Sequence, residues 1–240
     1  MSFIMSVISQ LLGGLGQSLL LFVLTLVFSI PLGLLVTFGR MSTWAPLHGL
    51  ADGRESGGGL RGVLARFKPI QFFVKICISI LRGTPLMLQL MVVFYGPYYL
   101  FGASLSTEYR FIAVILGFSV NYAAYFAEIF RSGIEGIPVG QREAAQVLGY
   151  SRSQTFLKII LPQMAKRVLP PVTNEFITLV KDTSLAFVLS YMELFTIAKQ
   201  IAAAQTTILP LFVAGVFYFI FNGIVATVMD RVEKRMSYYN

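Results

Sequence analysis

The sequence predicts an all-α membrane protein of five transmembrane helices, and three observations carry that expectation: the composition, the lengths of the apolar runs, and the placement of the basic residues. Of 240 residues, 56% are hydrophobic and 14% aromatic while only 12% are charged, too few charges to solvate a globule of this length. The net charge of +8 would suit a nucleic-acid partner if it were spread over a face, but here the basic residues are gathered into short stretches between apolar runs, which is a topological pattern and points to lipid instead. Cys77 is the single cysteine and His48 the single histidine. No disulfide can form within the chain, no thiolate cluster can hold a metal, and a lone histidine in a Gly/Pro-containing loop reads as solvated. The whole of 1–240 reads as one membrane domain.

Spans of about 20 apolar residues follow one another along the chain. Residues 1–39 carry no charged side chain, and the first is Arg40. A secretory signal peptide needs a positive segment ahead of its apolar core, so this run is expected to be a retained span with its N-terminus outside. The second apolar region, 69–101, is too long for one upright helix and is interrupted by Arg82-Gly83-Thr84-Pro85. Proline lacks the backbone donor and clashes with the preceding turn, so a break or kink is expected there, with Gly83 and Pro85 as backbone devices. The remaining spans are expected at 109–130, 168–191 and 209–232.

The basic residues set the orientation. Six lie in 40–75, six in 131–167 and three in the tail at Arg231, Lys234 and Arg235, fifteen of the nineteen in the chain. The loops on the other side, 98–110 and 192–208, hold only Arg110 and Lys199. By the positive-inside bias the N-terminus is expected outside and the C-terminus inside, which puts 135–165 in the cytoplasm. Residues 42–69 include Asp52-Gly53-Arg54-Glu55-Ser56-Gly57-Gly58-Gly59. No Gly-Lys-Ser/Thr follows these glycines, so they read as a flexible linker and not as a phosphate loop. The chain has no nucleotide-binding signature at all.

Polar residues within the spans point to a path. A charged group at membrane depth costs about 2.5–3.5 kcal/mol on insertion scales and normally faces a bundle interior or a water-filled cavity. On the fourth span Asn174, Glu175, Thr178, Lys181 and Asp182 share about one third of the helix circumference, opposite Phe176, Val180 and Phe187. On the third, Asn121, Tyr125, Glu128 and Ser132 fall within about 60° of each other. Any one of these has a plain structural alternative: Lys181 and Asp182 as charges paired to make insertion tolerable, Asn121 or Asn174 as interhelical hydrogen-bond glue. Five polar residues on one face exceed what packing requires, so the stripes together read as a shared path. Glu193, just beyond the fourth span, reads most simply as a solvated loop or cap residue.

The stretch 143–162, E-A-A-Q-V-L-G-Y-S-R-S-Q-T-F-L-K-I-I-L-P, is polar and helix-forming, with Ala144, Ala145 and Gly149 as a small-residue platform on which a partner protein could dock. Glu143, Ala144, Ala145, Gly149, Ile159, Leu161 and Pro162 match, at fixed spacing, the E-A-A-x3-G-x9-I-x-L-P motif, and the chain thereby resembles the permease subunits of type I ABC importers. The resemblance extends to Arg82-Gly83-Thr84-Pro85-Leu86 with Gln89, to Ala127-Glu128 with Arg131-Ser132-Gly133-Ile134, to Pro138-x-Gly140-Gln141, to Asn174-Glu175-Phe176-Ile177 and to Lys181-Asp182-Thr183-Ser184-Leu185. These look like the polar amino-acid branch, which includes histidine, arginine, glutamine and cystine uptake systems. The longer, glycine-rich 42–69 stretch departs from the short loop of that family.

That resemblance implies a permease in the bacterial cytoplasmic membrane that performs no covalent chemistry. Its implied partners are two ABC ATPase subunits, which bind the ATP and Mg, a second permease copy or a paralogous permease, and an extracytoplasmic amino-acid-binding protein. It implies a coupling helix built on Gly140, Glu143, Ala144, Ala145, Gly149, Leu161 and Pro162. It also implies a substrate path through Arg82, Gln89, Asn121, Tyr125, Glu128, Asn174, Glu175, Thr178, Lys181 and Asp182. Within it, Arg82 or Lys181 would meet a substrate carboxylate, Glu175 and Asp182 an ammonium, and an unpaired Glu175 a cationic side chain, which favours basic amino acids over glutamine or cystine. A membrane-embedded enzyme would need a nucleophile or metal-ligand constellation, which the sequence lacks, and a scaffold subunit would leave the aligned stripes unexplained.

Overall fold

The computed structural model describes residues 2–44 and 68–237, and every regular element among them is helical. In chain order these are α1 (Ser2–Arg40), α2 (Pro69–Gly83), α3 (Leu86–Phe101), α4 (Thr107–Glu135), α5 (Val139–Val147), α6 (Arg152–Thr155), α7 (Leu161–Asp182), α8 (Leu194–Ala204) and α9 (Leu209–Ser237). Helices α1, α4 and α9 are each long and apolar enough to cross a membrane. The bent pairs α2 with α3 and Arg152–Leu189 with α8 bring the number to five if each pair is one span. The glycine-rich linker and His48 lie outside the described residues.

Helix α4 is the hub. Of its most apolar stretch 61% is buried, against 28% for α1 and 17% for α9, so those two present most of their surface outward, as lipid-facing helices do. Phe118, Tyr122 and Phe126 of α4 are all but fully buried, and an edge-on chain of rings runs outward from Phe126 through Phe176 of α7 and Phe22 of α1 to Phe221 of α9. With no water to expel between lipid-bathed helices, such packing is the main source of association, and small residues let the backbones approach. On α1, Ser18, Thr25, Ser29 and Thr37 are fully buried along one helical face. A Cβ at Gly33 would come within 2.8 Å of the Phe126 Cβ, so only glycine permits this crossing of α1 over α4. The Thr37 hydroxyl donates to Ala127 O across the same contact, at 3.1 Å.

The expected break after Arg82 is a bend of 110° between α2 and α3. Thr84 is extended at φ −120°, ψ 147° and Pro85 follows at φ −62°, ψ 133°, the conformation that a residue preceding proline favours.

The fourth span differs from the expectation of 168–191. Helical backbone begins at Arg152, inside what read as a loop, and runs through a π-helical turn at Phe156–Ile160, α7 and a 3-10 stretch at Thr183–Leu189. Pro162 lies inside this continuous run, directly after the π-helical turn, so its missing donor falls where the regular hydrogen-bond ladder is already interrupted and it does not stop the chain. A second difference follows Leu189. The segment read as an outer loop holds α8, bent 55° from the preceding helix, and Glu193 is not solvated but fully buried. It caps α8: one carboxylate oxygen accepts from the Thr196 N–H and hydroxyl, both at 2.7 Å, and the other from the Phe195 N–H at 2.6 Å and the Tyr218 hydroxyl at 2.9 Å. Four donors, one of them on α9, make this buried carboxylate tolerable where it would otherwise carry a large desolvation cost.

Candidate functional site

The bend after α2 strips backbone carbonyls of their helical partners, and two side chains expected on the path satisfy them. The Gln89 amide donates to Leu81 O at 2.8 Å and to Thr84 O at 3.1 Å, while the Asn121 amide donates to Leu81 O at 3.3 Å and to the Gln89 side-chain oxygen at 3.0 Å. The Thr84 hydroxyl closes on Ile80 O at 2.8 Å. Gln89 and Asn121 therefore hold the bend, and neither lines the cavity beside it.

That cavity, about 320 Å³, is open on one side and lies between the C-terminal end of α2 and the facing sides of α4 and α7. Arg82, Tyr125, Glu128 and Glu175 line it, together with Ser132 and Arg167. The two polar stripes thus meet, but only in part. The Arg82 guanidinium stands over the Tyr125 ring, 5.2 Å from its centroid, a cation–π contact that positions the charge without neutralising it. Glu128 is paired: Arg40 approaches one oxygen at 3.5 Å and Arg131 the other at 2.6 Å, and Arg131 also reaches Glu135. Glu175 enters no ion pair among the described residues, and the pairing with Lys181 that the sequence allowed is not formed. The cavity wall therefore carries both signs of charge, with Arg82 and Glu175 on the same cavity but in no direct ion pair among the described residues.

Three residues of the fourth-span stripe, Asn174, Thr178 and Lys181, lie exposed on α7 away from the cavity wall. Asp182 accepts a hydrogen bond of 2.7 Å from the Tyr122 hydroxyl of α4, which fixes the end of α7 to the hub. The sequence reading missed Tyr122 and Arg167. Tyr122 carried no signal beyond a polar tip in an apolar helix. Arg167 was counted only as a topological charge, but its guanidinium donates to Gly136 O and lies where a Gly136 side chain would stand.

The 135–165 region folds as a stop and a restart. Helix α5 ends in a Schellman motif: Tyr150 N–H donates to Ala145 O and Gly149 N–H to Gln146 O, both at 3.0 Å, with Gly149 at φ +76°, the left-handed conformation that glycine adopts freely. Ser151 then opens α6 with a capping box, its hydroxyl accepting from Gln154 N–H at 3.2 Å while the Gln154 side chain accepts from Ser151 N–H at 2.9 Å. No atom lies within 4 Å of a Cβ built at Gly149. Backbone geometry accounts for a glycine at this position. Ala145 is buried, whereas Gly140, Glu143 and Ala144 are exposed, as is Pro162 at the start of α7, with Leu161 partly buried. Val139 and Val147 are 68% and 87% exposed and Leu148 is 73% exposed. Val139, Glu143 and Val147 recur every four residues and share one exposed face of α5, two apolar side chains on either side of a carboxylate. Sequence reasoning had passed over these apolar residues in favour of the small ones.

Comparison with known proteins places the chain. The family model described as binding-protein-dependent transport system inner membrane component matches residues 57–238. L-cystine transport system permease protein TcyB of Bacillus subtilis (strain 168) is 32% identical over 95% of this chain and 86% of its own length. Arginine transport system permease protein ArtQ of the same organism is also 32% identical, over 95% and 92%. A solved structure described as the crystal structure of an amino acid ABC transporter with histidines superposes with a TM-score of 0.79 at 26% identity, covering 97% of this chain and 96% of that one. The overall fold is thus shared over nearly the whole chain, and the chain belongs to the family of binding-protein-dependent transport system inner membrane components.

Proposed function

We propose that this chain is the permease subunit of an ATP-driven importer of polar amino acids and that its preferred substrates are basic ones. The observation that carries the substrate class is the cavity whose wall holds the Arg82 cation and the Glu175 carboxylate with neither in a direct ion pair among the described residues. A free amino acid presents a carboxylate and an ammonium, and a site for it needs a cationic donor and an acceptor at close range. Arg82 receives the carboxylate. Glu175 receives positive charge, and because Glu128 is already neutralised by Arg40 and Arg131, Glu175 is the group that answers a cationic side chain. Relatives named for arginine and for cystine are equally similar to this chain, so the preference for basic substrates rests on Glu175.

Transport in this reading is alternating access. Five spans are too few to enclose a path, so the open side of the cavity and the exposed face of α7 with Asn174, Thr178 and Lys181 meet a second permease, identical or paralogous. Helix α5, with Gly140, Glu143, Ala144 and the exposed Val139 and Val147, seats on an ATPase subunit that binds the ATP and Mg. Closure of the ATPases moves α5, and through α7 it changes the side on which the cavity opens. An extracytoplasmic binding protein delivers the substrate, the N-terminus of the permease lies outside and its C-terminus in the cytoplasm of a bacterial cell. Reconstitution with the ATPase and binding protein in liposomes tests this directly: ATP-dependent accumulation of arginine is expected, and ATP hydrolysis that no amino acid stimulates contradicts it.

A further inference from the structure

A second cavity, about 570 Å³, lies at the opposite end of α4 from the Ser106 cap, behind α5 and unconnected with any residue assigned to the path. Its floor is apolar and is made by the ends of two spans and the π-helical turn: Phe38 of α1 and Met41 just beyond it, Ile134 of α4, and Phe156 and Ile160. Its rim is basic. Arg142 and Arg152 both line it, no carboxylate does, and neither arginine enters an ion pair among the described residues. Lys158 adds a third cation beside it, 5.8 Å from the centroid of the Tyr150 ring that forms part of the wall. The cavity sits at the ends of α1 and α4, two of the helices long and apolar enough to cross a membrane.

We propose that this cavity is a binding site for an anionic phospholipid of the cytoplasmic leaflet, with the phosphate between Arg142 and Arg152 and the start of an acyl chain on the Phe38, Met41 and Ile134 floor. A soluble anion would satisfy the arginines and leave the apolar floor empty. A neutral lipid would fill the floor and leave two cations unanswered. Only a ligand that is anionic at one end and apolar at the other matches both, and basic pockets at the cytoplasmic ends of membrane helices suit such headgroups. The lipid bridges the ends of the spans to the loop that follows α5 and so stiffens the restart at Ser151. The inference rests on the orientation proposed above, which puts this end of the bundle in the cytoplasm.

Native mass spectrometry of the assembled transporter, released from detergent micelles doped with either dioleoyl phosphatidylglycerol or dioleoyl phosphatidylcholine, tests it. The unmodified complex is expected to retain phosphatidylglycerol in preference to phosphatidylcholine. Arg152→Gln is expected to lower that retention about fivefold and Arg142→Gln with Arg152→Gln about 25-fold, on the order of fivefold per basic residue. Arg231→Gln with Arg235→Gln, equal in charge but placed on the tail of α9, should leave it unchanged. Equal retention of the two lipids, no retained lipid at all, or an equal loss in the tail variant overturns the site. Retention is read without transport, so a complex that imports arginine but holds no phosphatidylglycerol removes the lipid site alone, and one that holds the lipid but imports no amino acid removes the transport reading alone.

Discussion

The Asn121 side-chain amide donates to the Gln89 side-chain oxygen at 3.0 Å, joining the middle of α4 to the first turn after the 110° bend. Because Gln89 in turn holds Leu81 O and Thr84 O, two residues satisfy the carbonyls that Pro85 sets free, in a setting where no bulk water can replace them. Gln89→Leu should therefore destabilise the permease by roughly 1–3 kcal/mol for each carbonyl left unpaired. Asn121→Leu in the Gln89→Leu background should add more than it does alone, since Leu81 O then loses the second of its two side-chain donors. Thermal unfolding of the purified chain in detergent measures both, and full additivity would show that the two side chains act separately.

Glu193 offers a sharper stability test. Its carboxylate accepts from four donors on α8 and α9, so Glu193→Ala leaves buried groups orphaned and should cost about 3 kcal/mol or more. Tyr218→Phe removes only one of those donors and should cost about 1 kcal/mol. If the Ala variant unfolds at the same temperature as the unmodified chain, the cap contributes nothing to holding α8 in place.

The exposed face of α5 should be the ATPase contact. Val147→Asp and Glu143→Lys are expected to weaken co-purification of the ATPase while leaving the permease folded, because both side chains are exposed and make no contact that the bundle needs. Gly149→Ala should weaken it through backbone strain of about 1–2 kcal/mol at a positive φ. Gly149→Asn should be better tolerated, since asparagine visits that conformation more readily. Unaltered association and uptake in all four variants would show that α5 is not the coupling element.

Much of this was legible in the sequence. The charge-free run before Arg40, the break at Arg82-Gly83-Thr84-Pro85 and the limits of 69–101 matched α1, α2 and α3 because membrane burial admits few solutions for an apolar chain. The start of the fourth span at Arg152 and helix α8 were hidden. Their sequences are mixed in polarity, and the signals that define them, a capping box at Ser151 and a buried acidic cap at Glu193, look like ordinary loop residues until their partners are in place. For the site, helical spacing identified the stripes but not which member faces what. Gln89 and Asn121 turned to the bend, Asp182 turned to Tyr122, and Asn174, Thr178 and Lys181 stayed on the open face, because rotation of α7 is set by Phe176 and Val180 packing against α4 and its neighbours.

Orientation is open to a direct chemical test. In a Cys77→Ser background, cysteine at Ser153 on exposed α6 should react only with membrane-permeant thiol reagents, whereas cysteine at exposed Ser104 between α3 and α4 should react from outside intact cells. Labelling of the Ser153→Cys variant from outside reverses the topology and removes the premise of the lipid site.

Uptake by Glu175→Gln in the reconstituted importer tests the central claim most directly, because of the two cavity carboxylates Glu128 is held in ion pairs and Glu175 is in none among the described residues. Removing its charge should reduce arginine uptake by about tenfold or more, the worth of a hydrogen bond to a charged group, and leave glutamine uptake within about twofold where that substrate is carried at all. Equal losses for arginine and glutamine, or no arginine uptake by the unmodified complex, would contradict the account.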